Sequence, residues 1–424
     1  MFDGKRGTRI HRTRNKIRAF TSLIIWNIIT SAMTPATVKP QDGYKNLLNV
    51  WNNSKNLPKD DGDSLANLSY GFWHAGNTLD TFMDYYRRAQ PPGYQKEAAS
   101  RTEEAIAVFK AAIGVDPINP PAKPPLVAWW DDYGWWGVAL LKAYTLTNAS
   151  RYLQCAKTCW DFMDQGGRHH NDKDPNEKNG TWNHYPEGVQ NLITNSLFLN
   201  LSAQLYGLTH EQKYLNGACD QFEWFYHWFT QGALCPVAPG GNLVYPSCGK
   251  SVSVNDKSIR DYKGLYWTGD QGAVLGALSE LLKIAGAAAP KIKNPANLAK
   301  YLRDTCDSIA NAVSINAEMV YLNTGVLYEQ SWYDLNGAVG KGVLMRYLGA
   351  WVMDRGVLNF FQKFIGDNAL AATTNPESDG YFRFSWANAG RTITTDGYPV
   401  LKQLTRQCAG QDAFNAYLLV SPVG

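Results

Sequence analysis

Nothing in this sequence is long and apolar enough to cross a bilayer comfortably, no Pro/Ser-rich linker divides it, and only 18% of its 424 residues are charged. The missing linker favours one domain, expected over residues 35–424. A surplus of positive charge is missing too, once the start of the chain is set aside. Lys5, Arg6, Arg9, Arg12, Arg14, Lys16 and Arg18 stand against Asp3 alone in residues 1–34. Removing them leaves 34 of the 41 basic and 36 of the 37 acidic residues, a net charge of −2. A phosphate-binding surface needs excess Lys and Arg, so no nucleic-acid partner is expected. Metal-ligand spacing is absent as well: the seven cysteines form no pattern with neighbouring histidines. His169, His170 and His184 lie among Asp, Asn and Lys, as in a solvated loop, so neither metal nor cofactor is expected.

The leader has its own shape. A basic stretch is followed by the apolar run Ala19 to Ile29, then Thr-Ser-Ala-Met and, two residues on, Pro35. That order matches an export signal, with a retained anchor or an unprocessed tail as alternatives. Asn27 and Ser22 interrupt the run, so stable membrane insertion is not expected. The expected location is secreted or cell-envelope, and the expected state is a monomer. Cys235 and Cys248 flank a Gly/Pro-rich loop and could bridge it, whereas Cys155 and Cys159, four apart on a helix, are badly placed for a disulfide.

Apolar spacing predicts helices at about 41–55, 74–89, 96–113, 131–147, 150–165, 187–206, 210–230, 269–287, 295–313, 337–352, 354–367 and 403–419. Helices 131–147, 187–206 and 269–287 are apolar on more than one face, which implies burial, while their partners carry more charge. Twelve helices in six hairpins, inner then outer, fit an all-α (α/α)6 barrel. Long loops at 56–73, 114–130, 166–186, 231–268 and 368–402 are rich in Trp, Tyr and Gly, as cleft walls are. Short strands are expected in 233–266 and 381–395.

Aromatics are plentiful, with 15 Trp and 23 Tyr. Beside Asn, Asp and Gly they suit sugars, whose apolar ring faces stack on indole while their hydroxyls take polar partners. One segment concentrates this chemistry: Trp129-Trp130-Asp131-Asp132-Tyr133-Gly134-Trp135-Trp136 at a helix start. Acidic residues there cap helices and favour the macrodipole, which is the plainer reading. The aromatic enclosure argues for chemistry instead. Desolvation raises a carboxyl pKa, and two like charges side by side push their values apart, giving one acid and one base. Glycoside hydrolysis uses that division of labour. Neighbouring Cα atoms lie about 3.8 Å apart, which favours carboxyls about 5–5.5 Å apart and a retained anomeric configuration.

The segment resembles the Asp-Asp hallmark of glycoside hydrolase family 76, the endo-α-1,6-mannanases of (α/α)6 fold. Further blocks follow in family order: Gly180-Thr181-Trp182, Gln190-Asn191-Leu192-Ile193-Thr194-Asn195, Trp267-Thr268-Gly269-Asp270-Gln271-Gly272, Gly325-Val326-Leu327, and Lys341-Gly342-Val343 with Arg346-Tyr347. The resemblance implies Asp131 as nucleophile and Asp132 as acid/base, acting on an α-1,6-mannan-type polysaccharide. Around them Trp130, Tyr133, Trp182, Asn191, Asn195, Asp270, Gln271 and Lys341 are expected substrate contacts. Lys341 and Arg346 can equally pair locally at a helix end, and Asn191 and Asn195 can equally tie loops. Three positions depart from the family pattern: Gln190 replaces a basic residue, Gly269 an aromatic and Asp270 an amide, which puts the linkage preference in doubt.

Two other readings keep the same residues. A transglycosidase would pass the covalent intermediate to an acceptor sugar. A non-catalytic glycan binder would keep Trp and Asn but have no need of both aspartates. A uronate substrate would want an Arg-rich cleft, and an epimerase of this architecture paired histidines, for which His74 and His227 have no evident partners.

Overall fold

The computed structural model describes residues 40–125, 129–168, 180–184, 190–237, 240–245, 266–328, 335–374, 376–377, 380–387 and 397–421. Helix dominates them. In chain order they are α1 (Pro40–Ser54), α2 (Gly71–Ala89), α3 (Tyr94–Ile113), α4 (Trp130–Thr147), α5 (Ser150–Phe162), α6 (Leu192–Thr209), α7 (Gln212–Trp228), α8 (Thr268–Lys283), the four-residue α9 (Ala285–Ala288), α10 (Leu298–Ile315), α11 (Leu335–Arg355), α12 (Leu358–Thr373) and α13 (Pro399–Val420). Single π-helical turns, Met163–Gly167 and Phe229–Ala233, extend α5 and α7.

Six of these helices form a closed ring: α2 packs on α4, α4 on α6, α6 on α8, α8 on α11, α11 on α13, and α13 back on α2. Closure explains the sequence of the inner helices. A helix flanked on both sides and covered outside has no wet face, so α6 is buried from Leu192 to Ala203, its polar Thr194, Asn195, Ser196, Asn200 and Ser202 included. The outer helices α3, α5, α7 and α10 each back the inner helix before them, and α12 leans on both α11 and α13. Inner-then-outer order thus holds along the chain until its end. The last inner helix, α13, is backed by α1 from the opposite terminus.

This topology decides where a site can form. Turns of two residues follow α4, α6 and α11, and four residues separate α2 from α3. Asn148, His210 and Gln90 close three of these turns in the left-handed conformation. Apart from residues 284–297, which carry the short α9, the long connections enter at the other end, where the inner helices begin. Connection 316–334, unlike the other long ones, was not expected. It contains the antiparallel pair β3 (Val320–Tyr321) and β4 (Val326–Leu327). The expected hairpin in 233–266 exists as β1 (Leu234–Pro236) against β2 (Asn242–Val244). No strand occurs in the described part of 381–395.

Helix starts moved where a cap overrode apolar spacing. Helix α6 begins at Leu192 rather than 187, because Asn191 accepts the Thr194 N–H at 2.9 Å. Asn297 caps α10 in the same way through Lys300. Among the described residues no helix is long and apolar enough to cross a membrane. The leader, His169, His170 and Cys248 lie outside the described residues, and Cys155 and Cys159 are buried free thiols.

Candidate active site

Asp131 and Asp132 occupy the first turn of α4, at the end of the ring where the long connections enter. Neither aspartate caps the helix. The N-cap is Trp129, without a side-chain cap bond, and the Trp130 N–H donates to the Asn183 carbonyl at 2.9 Å. A neighbouring strap thus meets the first free N–H of the helix, and the Asp131 carboxylate accepts its own backbone N–H. Asp131 is partly exposed, yet its Oδ1 is buried without a hydrogen-bond partner, and Asp132 is 5% exposed.

Burial pushes both carboxyls up. Asp131 rises to about 7, and Asp132, buried and beside Asp131, goes well above the ordinary carboxylate range. No cation answers either charge among the ion pairs of the described residues. Both shifts run upward, so the pair binds protons more tightly than free carboxylates and titrates as a unit.

The strap Gly180–His184 is pinned from several sides. Arg168 bridges Thr181 and Trp129 bridges His184 along the backbone. Trp182 N–H donates to the Gly167 carbonyl. Asn195 on α6 accepts the Thr181 N–H at 2.7 Å and donates back to its carbonyl at 3.0 Å. The Asn195 Oδ1 also accepts from Gln221 on α7, which in turn accepts from the Thr181 hydroxyl.

Several expected substrate contacts are thereby committed inside the protein. Asn195 is fully buried, and its amide is spent on the strap and on Asn191. Asn191 caps α6. Gln271 exchanges two hydrogen bonds with Val244 of β2, extending that short strand with a side-chain amide. Tyr133 has no exposure and packs among Phe72, Phe109 and Phe162. Trp130, 1% exposed, lies on Gly166 and Gly167 of the π turn, where a Cβ on Gly166 would sit 2.2 Å from the indole. These residues build the site from beneath. Sequence spacing put them near the aspartates but could not show which way they face.

The other expected residues stay near the site face. Trp182 is partly exposed within the strap. Asp270 is buried in the first turn of α8. Lys341 is buried on α11, with its ammonium 4.6 Å from the Phe384 ring centre and 5.4 Å from that of Trp386. Arg346 pairs across the barrel with Asp80 and Asp412 rather than locally. The departures at Gln190 and Gly269 have local causes. Gln190 accepts the Trp224 indole N–H at 2.6 Å, and the Trp267 ring fills the space that a side chain at 269 would need.

Sequence reasoning passed over Trp129, His184 and Trp73. Trp129 is 39% exposed with the His184 ring edge-on at 4.8 Å, and Trp73 stands 5.7 Å from Trp135 at the start of α2. The signal was present, since an extended residue before a helix turns its side chain opposite to the next one. Among the described residues no group of three His, Cys, Asp or Glu could hold a metal.

A model of the family described as Glycosyl hydrolase family 76 matches residues 39–421. A search of curated protein sequences finds no match. Among solved structures the chain is similar to an inactive variant of the α-1,6-mannanase GH76A of Salegentibacter sp. HEL1_6 in complex with α-1,6-mannotriose, at 18% identity and TM-score 0.63, covering 90% of this chain and all of that one. It is also similar to Dfg5 from Chaetomium thermophilum in complex with glucosamine, at 16% identity and TM-score 0.61, covering 91% and 92%. Lin0763 from Listeria innocua follows at 19% and 0.60, covering 82% and 85%. At these identities the likeness is one of fold, a helical barrel.

Proposed function

The chain belongs to glycosyl hydrolase family 76 and is a glycoside hydrolase, and on that premise we propose that it cleaves an α-1,6-mannan-type polysaccharide internally, with Asp131 as nucleophile and Asp132 as acid/base. The carrying observation is the desolvated carboxylate pair in the first turn of α4, which no cation among the described residues meets. In this reading the proton retained by the pair sits on Asp132, which delivers it to the leaving glycosidic oxygen, while ionised Asp131 attacks the anomeric carbon. Water, deprotonated by Asp132 in the second half, then releases a product of retained configuration. The mannanase relative supports the substrate, and its inactive form carries asparagine in place of two adjacent aspartates.

Digestion of linear α-1,6-mannan beside branched mannan and other α-glycans tests this, with the wild type, Asp131→Asn and Asp132→Asn. We expect cleavage of the linear polymer by the wild type alone. Full activity in either variant overturns the mechanism, and activity confined to a polymer without mannose overturns the substrate. NMR of the first-formed product reads the stereochemistry, where an inverted anomer removes the nucleophile assignment. Transfer to added oligosaccharide in place of hydrolysis would mark a transglycosidase.

A further inference from the structure

Trp129 is the most exposed tryptophan among the described residues, and single exposed apolar side chains are ordinary. Its setting is not. Its backbone is extended, at φ −129° and ψ 125°, and paired with His184 on the strap. The next residue, Trp130, is locked by its N–H on Asn183 and its ring on Gly166 and Gly167. The Trp129 indole, outside the helix, is instead left 39% exposed. His184 meets that indole edge-on, ring centres 4.8 Å apart at 66°, which braces the ring and leaves part of it open. The strap bearing His184 is fixed by Asn195 and Gln221, so both halves of the pair are rigidly mounted. Asp131 is two residues away.

We propose that Trp129, braced by His184, is a stacking platform for a neutral pyranose ring of the substrate, next to the sugar whose bond is cleaved. The assignment rests on the reading that Asp131 and Asp132 are the reacting pair. Indole stacks on the C–H-rich face of a pyranose and brings no positive charge that an anionic sugar would need. A platform under a sugar that does not itself react holds substrate and transition state alike, so its loss raises KM and spares kcat.

The test uses the full chain. Trp129→Leu keeps an apolar side chain and removes the aromatic face, Trp129→Phe keeps a ring, and His184→Ala removes the brace alone. With linear α-1,6-mannan, Trp129→Leu is expected to raise KM about ten-fold with kcat within about two-fold, and Trp129→Phe to stay within about three-fold of wild type. Calorimetry of α-1,6-mannotetraose on the Asp131→Asn/Asp132→Asn double variant should show the same ten-fold loss when Trp129→Leu is added. His184→Ala is expected to weaken binding about three-fold, and it keeps the question answerable should Trp129→Leu fail to fold. Unchanged affinity in Trp129→Leu, or equal losses in the Phe and Leu variants, overturns the platform while leaving the mannanase reading intact. A wild type that ignores mannan but cleaves another α-glycan overturns the substrate instead. The same variants then judge the platform on that glycan, where a ten-fold loss sustains it and no loss overturns it.

Discussion

Two groups of buried carboxylates share this barrel, and they differ in one respect. Asp131 and Asp132 meet no cation among the described residues. Deeper in the ring, Asp80 and Asp84 of α2 and Asp412 of α13 are met by Arg346 and Lys142. Arg346 reaches Asp80 at 2.7 Å and Asp412 at 2.5 Å, and Lys142 reaches Asp80 at 2.5 Å and Asp84 at 2.8 Å. Burial alone would raise Asp84, but Lys142, with Arg88 and Arg346, brings it below the ordinary value. Burial takes Asp412 to about 6 against the pull of Arg346. The two groups even share a helix face, since Asp131, Trp135, Val138 and Lys142 follow the i, i+4, i+7, i+11 stripe of α4. Burial therefore does not mark the chemistry. What separates the two groups is a counter-charge among the described residues: Lys142 brings Asp84 down and Arg346 limits how far burial raises Asp412, while nothing described offsets the burial of Asp131 and Asp132.

The largest expected effects separate the groups by kind. Asp131→Asn and Asp132→Asn should each lower kcat by about a thousand-fold or more with the unfolding midpoint unchanged or higher. Arg346→Met should do the reverse, destabilising by about 3–5 kcal/mol because Asp80 and Asp412 lose their partner in the interior. Urea unfolding monitored by tryptophan fluorescence, set beside initial rates on mannan, reads both. A stable Arg346→Met protein would show that the inner carboxylates protonate at little cost.

Next in size is the dependence of stability on pH, where the signs oppose. Asp131 and Asp132 have folded values above the unfolded one, so the folded state binds more protons. Their contribution is fully present below about pH 4 and is lost as pH rises toward and through about 7. Asp84 is shifted down, so its contribution is lost only as pH falls below the usual carboxylate range. Between pH 4 and 7 the wild type should lose stability, and the Asp131→Asn/Asp132→Asn double variant should lose less. Asp412, shifted up to about 6, leaves a residual slope of the same sign. Equal slopes in the two proteins would mean that the pair ionises as freely as in an unfolded chain.

How much of this was legible in the sequence follows from how local each feature is. The inner helices were readable because ring closure demands apolar residues all round, and α4, α6 and α8 have them. The aspartates were readable from their aromatic neighbours. Which neighbours face the substrate was not, because that depends on distant partners: Gly166 and Gly167 receive Trp130, and Thr181 engages Asn195. Nor could spacing show that Arg346 reaches Asp80, which is 266 residues away.

The smallest effect bears on the plainest alternative for the aspartates. Acidic residues at a helix start are usually caps, and replacing a cap by Ala costs about 1 kcal/mol. In this barrel that role falls to Asn191 on α6 and to the Asn183 carbonyl on α4. Asn191→Ala should therefore cost about 1 kcal/mol with a modest change in kcat, whereas Asp131→Ala should cost no capping energy and remove activity. Chemical denaturation of both variants decides it. A loss of about 1 kcal/mol in Asp131→Ala, matching that of Asn191→Ala, would return the aspartate to the structural class and dissolve the contrast with the inner cluster. An unchanged or higher stability would leave Asp131 as a carboxylate held against the preference of its surroundings, which is the state a nucleophile requires.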